Sequence, residues 1–216
     1  MRGRTVLVVD DHELVRTILV LALRGQGFDA QHVSATSKED VLREAAEHAP
    51  GLVLLDLDLG REVAGGEQLV RPLRAAGWSV LIVTAGRGGP AVARAVADGA
   101  HGWVHKTESF EHLLHVVVAA AEGREVLSSA ARAELVRLHR HDAARKKDLA
   151  TKLDRLSVRE REVLERLAEG RQAVTIAGEF GVSLATVRAQ IRSVLMKLQV
   201  GSQLAAVALV NEADRP

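Results

Sequence analysis

The chain contains no cysteine and no long apolar run among its 216 residues. The lack of cysteine excludes disulfides, thiolate metal sites and thiol nucleophiles. No stretch approaches membrane-spanning length, and the N-terminus passes at once into a short strand-like run, so neither secretion nor membrane insertion is indicated. These absences predict a cytoplasmic protein.

The chain also has little net charge, only +1, but the charges are unevenly distributed. Residues 1–123 carry a net charge of −4, residues 124–151 of +3 and residues 152–216 of +2. An acidic first segment followed by basic ones suits an N-terminal domain that binds a cation and a C-terminal part that meets a polyanion. The 47% of hydrophobic residues is enough for two ordinary cores.

Short apolar runs recur in the first half of the chain, at residues 6–9, 52–55, 80–83 and 103–104, with a weaker run at 30–33. Stretches with helical spacing separate them. Strands that alternate with helices predict a parallel sheet covered on both faces, and continuous apolar runs are what such buried strands require. The sequence therefore predicts an α/β domain over residues 1–123, with a five-stranded, doubly wound parallel sheet.

Glycine and proline are absent from residues 130–154, which predicts a helical linker, placed at residues 124–153. Asp142 and Arg145 interrupt the spacing of its leucines, so a solvated helix is favoured over a coiled coil. The remaining residues, 154–216, have only helical patterns and predict a small all-α domain. Its expected helix starts and breaks are Ser157, Ser183 and Ser202, and Gly170 and Gly181.

Polar residues follow the predicted strands at the edge where parallel strands bind ligands. They are Asp10, Asp11, Asp56, Thr84 and Lys106. Carboxylates that converge on one point repel one another, and a bound hard divalent cation, most often Mg²⁺, usually offsets this repulsion. A carboxylate in such a pocket can then attack a phosphoryl group while a hydroxyl and an ammonium stabilise the transferred oxygens. Singly, each residue is explained as a helix cap or a solvated loop residue, but their joint occurrence favours a site.

Asp56 is preferred over Asp58 as the nucleophile because Asp56 directly ends its strand. Asp58 lies further into the loop, where its backbone carbonyl can reach the metal. The predicted metal ligands are therefore Asp10, Asp11, Asp56 and the Asp58 carbonyl.

Residues 1–123 resemble the receiver domain of two-component response regulators. The motifs that carry the resemblance are VVDDH at 8–12, LLDL at 54–57, IVTA at 82–85 and GWVHK at 102–106. The resemblance implies that Asp56 accepts phosphate from a sensor histidine kinase or a small phosphodonor, and that Thr84 and Lys106 contact that phosphate. Trp103 falls where the family has a switch aromatic, and a partly buried core aromatic is the equally weighted alternative.

Two departures from the receiver pattern concern the loop after Asp56 and the aromatic position. The loop from Gly60 to Gly66 looks longer than the usual turn and lacks its proline, and Trp103 is bulkier than the common Tyr or Phe. We expect the phosphorylation chemistry to survive both changes, whereas the switching motion can differ. The histidines, including His12 and His105, are interpreted as surface or linker residues rather than ligands.

Residues 156–210 resemble the four-helix, LuxR-type helix-turn-helix domain of the NarL/FixJ family. The motifs are LSVREREVL at 156–164, LAEG at 167–170, IA at 176–177, VS at 182–183, TVR at 186–188 and KLQV at 197–200. Gly181 permits the turn, Ser183 caps the next helix, and that helix has an apolar stripe expected to be buried, formed by Val187, Ile191, Val194 and Leu198. The opposite face is free to enter the major groove, where Arg pairs with guanine and Gln with adenine. The predicted DNA contacts are Ser183, Thr186, Arg188, Gln190, Arg192 and Lys197.

Several phosphate contacts that are frequent in the family are missing here. Val174, Gln190 and Gln203 stand at positions that often hold a basic residue or histidine. A single domain is therefore expected to bind weakly and to gain from pairing on two half-sites. This predicts a homodimer in the active form.

These residues together predict a phosphorylation-controlled transcription regulator that binds promoter DNA, and not an enzyme. One alternative is an orphan regulator whose receiver is controlled by a partner protein, which the unusual loop favours. A second is a haloacid-dehalogenase-like phosphatase, because Asp56 and Asp58 match its Asp-x-Asp motif. The early acidic pair and the helix-turn-helix segment speak against the phosphatase.

Overall fold

A computed structural model describes residues 4–33, 37–60, 65–86 and 89–213, without the side chains of residues 212 and 213. The chain divides into two compact units, residues 1–140 and residues 141–216. The boundary lies within the helix predicted as a linker.

The first unit is built on a parallel sheet of five strands in the order β2-β1-β3-β4-β5. The apolar runs form its strands, and all four strand pairs are parallel. This arrangement confirms the predicted five-stranded α/β fold. The strands are β1 (Thr5–Val9), β2 (Asp29–Val33), β3 (Leu52–Leu55), β4 (Ser79–Thr84) and β5 (Gly102–His105).

Helices cover both faces of this sheet. Alternate residues of each buried strand point to opposite sides, so both faces of the sheet are apolar and both need to be covered. Leu55 and Ile82 join one buried apolar cluster and Leu54 and Leu81 join the other, and each of these side chains contributes about 1.5–3 kcal/mol by its burial. The helices are α1 (Glu13–Gly25), α2 (Lys38–Ala46), a 3-10 turn (Gly66–Leu69), α3 (Val70–Ala75), α4 (Pro90–Ala97) and α5 (Phe110–Ala121). The first cluster includes residues of α2, α3 and α4, and the second includes residues of α1 and α5.

A long helix, α6 (Ser129–Asp154), occupies the predicted linker. Its first turns belong to the first unit, where Leu135 and Val136 pack against the first apolar cluster. The guanidinium of Arg132 donates hydrogen bonds to the backbone carbonyls of Ala100, at 2.9 Å, and His101, at 2.5 Å. The start of the helix is therefore anchored to the segment between α4 and β5.

Among its described residues, the second unit contains four further helices, as the resemblance implies. Ser157 and Ser183 cap two of them through their side chains, and Gly181 adopts a left-handed conformation with φ of 64° between the second and the third. This conformation favours glycine and permits the tight turn. The helices are α7 (Val158–Ala168), α8 (Ala173–Phe180), α9 (Leu184–Leu198) and α10 (Gln203–Ala213).

A buried glutamate connects α7 to α9. Glu160 accepts hydrogen bonds from the backbone N–H of Ser157 at 2.7 Å, the hydroxyl of Ser193 at 2.6 Å and the ammonium of Lys197 at 2.6 Å. Burial alone would raise the pKa of Glu160, but the hydrogen bonds from Lys197, Ser193 and Ser157 hold it at about 2. The charged form of Glu160 therefore fixes the orientation of α9.

No single helix within the described residues is both long enough and apolar enough to cross a bilayer. Helix α9 and residues 203–211 of α10 meet those limits only when taken together, across a bend of 61°.

Replacing Glu160 with glutamine is expected to lower the free energy of opening of α7 by about 2 kcal/mol at neutral pH, because hydrogen bonds to a charged acceptor are lost. The folded pKa of about 2 lies below the value of about 4.3 expected in the unfolded chain. The carboxylate therefore stabilises the folded domain fully above about pH 4.3, and this contribution is lost as the pH falls through about 2. Hydrogen exchange of the α7 amides, corrected for intrinsic rates, measures the difference between wild type and Glu160→Gln at each pH.

The control is Glu165→Gln, which changes an exposed glutamate of the same helix. It should leave the exchange of α7 unchanged at every pH. A difference between wild type and Glu160→Gln that stays the same from pH 7 to about pH 2 would contradict the assigned role of the carboxylate.

Replacing Arg132 with alanine is expected to speed hydrogen exchange in residues 129–140 roughly tenfold, because two hydrogen bonds from a charged donor are lost. Hydrogen exchange detected by mass spectrometry resolves this segment. Arg137→Ala is the matched control, since Arg137 is exposed and pairs only with Glu134 of its own helix among the described residues. Equal exchange in the two variants would show that Arg132 does not anchor the helix.

Candidate functional site

The residues of the predicted acidic pocket lie at the ends of neighbouring strands, at one edge of the sheet. Asp10 follows β1, Asp56 follows β3, and Lys106 follows β5, while Thr84 is the last residue of β4. These four strands lie side by side in the sheet, and parallel strands end at the same edge. The structure therefore brings together side chains that are far apart in the sequence.

The ammonium of Lys106 lies between two buried carboxylates. Its Nζ is 2.6 Å from Oδ2 of Asp10 and 2.6 Å from Oδ2 of Asp56. Asp10 and Asp56 are only 2% and 1% exposed, so water screens this charge cluster little. Lys106 thus offsets part of the negative charge that the strand ends concentrate.

The same contacts determine the ionisation of this pair. Burial raises the pKa of Asp56 above its usual value, and hydrogen bonds from Lys106 and from the Asp58 backbone only partly offset that rise. Burial would lower the pKa of Lys106, but hydrogen bonds to Asp10 and Asp56 raise it above its usual value. Lys106 therefore remains a cation beside the two carboxylates.

A group suited to a cation surrounds this pair. Asp10, Asp11, His12 and Asp56 each offer one ligand atom, and these atoms lie within 4.8 Å of one another. His12 is exposed, as expected, but its Nδ1 lies 2.6 Å from Oδ1 of Asp11 and 3.2 Å from Oδ1 of Asp10. The sequence interpretation did not connect His12 with the acidic group, although it directly follows Asp11 in the chain.

The backbone holds Asp56 tightly in place. Its N–H donates to the carbonyl of Val9 at 2.9 Å, and its Oδ1 accepts a hydrogen bond from the N–H of Asp58 at 3.1 Å. A Cβ atom at Gly66 would lie 2.5 Å from the carbonyl oxygen of Asp56, so only glycine fits there. Sequence reasoning did not single out Gly66, because this close approach depends on how the chain returns from the loop.

The unusual loop after Asp56 lies partly outside the described residues, which omit 61–64. On either side of that gap, Gly60 and Gly65 have positive φ angles of 76° and 78°. The Asp58 side chain is exposed, whereas Leu57 and Leu59 are buried. The first residues of the loop are therefore packed against the core.

Thr84 and Trp103 lie on the neighbouring strands β4 and β5. Thr84 is 2% exposed, and its Oγ1 accepts a hydrogen bond from the N–H of Gly86 at 3.1 Å. Trp103 is partly buried and packs against the first apolar cluster. This packing is consistent with a core aromatic, and a switching role stays a prediction.

The second candidate site lies on α9. Val187, Ile191, Val194 and Leu198 form its buried stripe, as the sequence predicted. At the start of the helix, Ser183 accepts a hydrogen bond from the N–H of Thr186 at 3.0 Å, and the two hydroxyl oxygens are 2.8 Å apart. Arg188 and Arg192 are exposed on the opposite side.

Two other predicted DNA contacts are only partly exposed in the structure. The ammonium of Lys197 donates to Glu160 at 2.6 Å. Gln190 is partly buried, and among the described residues its Oε1 is enclosed without a hydrogen-bond partner. The structure therefore separates these two residues from the exposed arginines, although the sequence grouped them together.

Family models match most of the chain. The one described as the response regulator receiver domain matches residues 6–118, and the one described as bacterial regulatory proteins of the luxR family matches residues 154–210. The first contains the acidic pocket and the second contains α7 to α9.

Relatives match over nearly the full length. The probable transcriptional regulatory protein SgaR of Hyphomicrobium methylovorum is 33% identical, with 97% of this chain and 93% of that protein covered. The nitrate/nitrite response regulator protein NarL of Escherichia coli K12 is 29% identical, with 96% and 95% covered. A structure of RcsB from Salmonella enterica serovar Typhimurium, bound to a promoter with a phosphomimetic, shares the fold with a TM-score of 0.50, at 20% identity and with 96% and 98% covered.

The two family matches confirm both resemblances that the sequence motifs carry. They describe DNA-binding regulators, so the expectation of a non-enzymatic protein is confirmed and the phosphatase alternative is not supported. The chain belongs to the two-component response regulators that combine a receiver domain with a LuxR-type helix-turn-helix domain.

Proposed function

We propose that phosphorylation of Asp56 controls the binding of this regulator to promoter DNA. The observation that supports the phosphoacceptor most directly is the buried Asp56 carboxylate held by Lys106 at 2.6 Å at the edge of the sheet. In the proposed reaction an oxygen of Asp56 bonds to phosphorus as the bond from phosphorus to the donor atom breaks, and the donor keeps that electron pair. The donor is a sensor histidine kinase or a small phosphodonor.

Mg²⁺ is the proposed cofactor, and the donor set fits a hard cation that prefers oxygen ligands. Asp10, Asp11, Asp56 and the backbone carbonyl of Asp58 would hold it. When bound, it neutralises carboxylate charge and stabilises the charge of the transferred phosphoryl group. The ammonium of Lys106 carries one positive charge, whereas Asp10, Asp11 and Asp56 together carry three negative charges when ionised. The excess negative charge favours binding of such a cation.

Thr84 and Lys106 are the proposed phosphate contacts. The buried hydroxyl of Thr84 is on the strand between Asp56 and Lys106, and a new dianionic group would attract both the hydroxyl and the ammonium. Lys106 would exchange its contact with Asp56 for one with the phosphate. Trp103, on β5, is the proposed switch aromatic that follows this change.

The proposed output is a change in transcription by a homodimer on promoter DNA in the cytoplasm. RcsB supports this step by analogy, because RcsB dimers are described on DNA. We assign the receiver to residues 1–123, the linker to residues 124–153 and the DNA-binding domain to residues 154–216. In the third segment we propose Ser183, Thr186, Arg188, Arg192, Gln190 and Lys197 as the residues nearest to DNA.

Replacing Asp56 with asparagine is expected to abolish phosphorylation, because an amide does not provide the attacking carboxylate oxygen. Intact-mass spectrometry after incubation with an acyl phosphate and Mg²⁺ measures the modified fraction. Asp58→Asn is the matched control and should be modified as wild type is, since the Asp58 side chain is exposed and only its backbone is proposed to act. Modification of Asp56→Asn but not of Asp58→Asn would reverse the assignment.

The phosphodonor is expected to tighten DNA binding of the wild-type protein at least tenfold, a coupling of about 1.4 kcal/mol or more. The reason is that a domain with few phosphate contacts gains from pairing on two half-sites. Fluorescence anisotropy with a duplex selected by the protein from a random library measures the affinity, and sedimentation of the same complex measures its stoichiometry. Tight wild-type binding that does not respond to the phosphodonor would favour control by a partner protein instead.

A further inference from the structure

The residue that follows the acidic pair does not act as an ordinary helix cap. His12 is the N-cap residue of α1, a position where Ser, Thr, Asp and Asn are preferred because their side chains accept a hydrogen bond from the helix. Among the described residues, the side chain of His12 caps no N–H of α1. The first turn is closed by the backbone, since the N–H of Arg16 donates to the carbonyl of His12 at 3.1 Å. The helix therefore does not require the imidazole.

The ring of His12 is turned toward the carboxylates instead. Its Nδ1 lies 2.6 Å from Oδ1 of Asp11 and 3.2 Å from Oδ1 of Asp10, and the backbone N–H of His12 donates to that same Asp10 oxygen at 2.9 Å. Two atoms bound to one ion in adjacent octahedral positions, each at about 2.1 Å, lie about 3 Å apart. The separations of Nδ1 from the two carboxylate oxygens are close to this value, so all three atoms can bind one ion.

The imidazole changes the donor set of the acidic pocket. The ligand atoms of Asp10, Asp11, His12 and Asp56 lie within 4.8 Å of one another, and three of them are oxygens while the fourth is a nitrogen. Mg²⁺ prefers oxygen ligands, whereas imidazole suits first-row transition cations such as Fe²⁺, Ni²⁺ and Zn²⁺. The His12 side chain is 64% exposed, so water can accept a hydrogen bond from the second ring nitrogen, as is common for a ligating histidine.

Two roles of this imidazole have opposite consequences for metal binding. As a ligand, it strengthens the binding of transition cations. As a positive charge beside the carboxylates, it would compete with every cation, and its removal would strengthen the binding of all of them. The pocket already contains a positive charge, because the ammonium of Lys106 lies 2.6 Å from both Asp10 and Asp56. This favours the ligand role for His12.

We infer that Nδ1 of His12 is a nitrogen ligand of the acidic pocket, and that it raises the preference of this site for first-row transition cations over Mg²⁺. This inference rests on the proposed cation site and specifies both an additional ligand and the class of cation that the ligand favours.

The test uses the full-length protein without an affinity tag, at about pH 8, where an ordinary imidazole is neutral and can bind a metal. Co²⁺ is the probe, because its unpaired electrons shift the proton signals of its ligands. Proton NMR of the Co²⁺ complex should show a strongly shifted, exchangeable imidazole N–H signal that is lost in His12→Ala. Since losing even an outer partner of a metal ligand costs about 10- to 100-fold in affinity, His12→Ala should lower the ratio of Co²⁺ to Mg²⁺ affinity at least about tenfold. Its affinity for Mg²⁺ should change little, which also shows that the pocket is intact.

Two further variants separate the ligand from other roles. His12→Asn provides an amide that can keep a hydrogen bond to Asp11 but has no imidazole nitrogen, so it should behave as His12→Ala does. His32→Ala removes an exposed histidine of β2 outside the acidic group and should behave as wild type does.

A wild-type Co²⁺ complex without the shifted signal, or a signal that persists in His12→Ala, would overturn the inference while leaving the proposed cation site in place. A wild-type affinity ratio in His12→Asn would also overturn it, because a hydrogen bond would then suffice. Tighter binding of both cations by His12→Ala would identify the imidazole as a competing charge and would be equally contrary. If wild type bound neither cation, the proposed Mg²⁺ cofactor would fail as well.

Discussion

The ammonium of Lys106, held 2.6 Å from both Asp10 and Asp56, is the interaction on which the first domain depends. Parallel strands bring three carboxylates to one edge of the sheet, and their mutual repulsion would oppose folding there. Lys106 can offset that charge because β5 ends at the same edge as β1 and β3. The proposed phosphorylation adds negative charge at this point, so the internal ammonium and the buried Thr84 hydroxyl are the groups with most reason to rearrange.

The second domain depends on a corresponding buried charge. Glu160 joins the start of α7 to Ser193 and Lys197 of α9, and this network directs the exposed arginines away from the core. A carboxylate that is both a helix cap and an ion-pair partner combines local with tertiary stabilisation. The proposed DNA-binding surface therefore depends on the contact between Lys197 and Glu160 as well as on the exposed Arg188 and Arg192.

The parts of the fold that depend on local pattern could be predicted from the sequence. The run at 52–55 predicted a buried strand ending at Asp56, and Ser183 after Gly181 predicted the start of α9, because strand burial and capping involve nearby residues. Contacts between distant residues could not be predicted in this way. The pairing of Lys197 with Glu160, the enclosure of Gln190 and the anchoring of Arg132 on the Ala100 carbonyl all depend on how helices pack. Gly66 was missed for the same reason, since its neighbour is the backbone of Asp56.

In the proposed function, charge at Asp56 and DNA at α9 act on one equilibrium, and coupled binding free energies must be reciprocal. DNA should therefore strengthen the binding of a phosphoryl analogue at Asp56 by the same factor by which that analogue strengthens DNA binding. The direct measurement is the affinity of the protein for beryllofluoride with Mg²⁺, with and without a saturating amount of the selected duplex. Beryllofluoride should bind more tightly in the presence of DNA, and Asp56→Ala should lose this gain in affinity. An equal affinity for beryllofluoride with and without DNA would contradict the coupling between Asp56 and DNA binding.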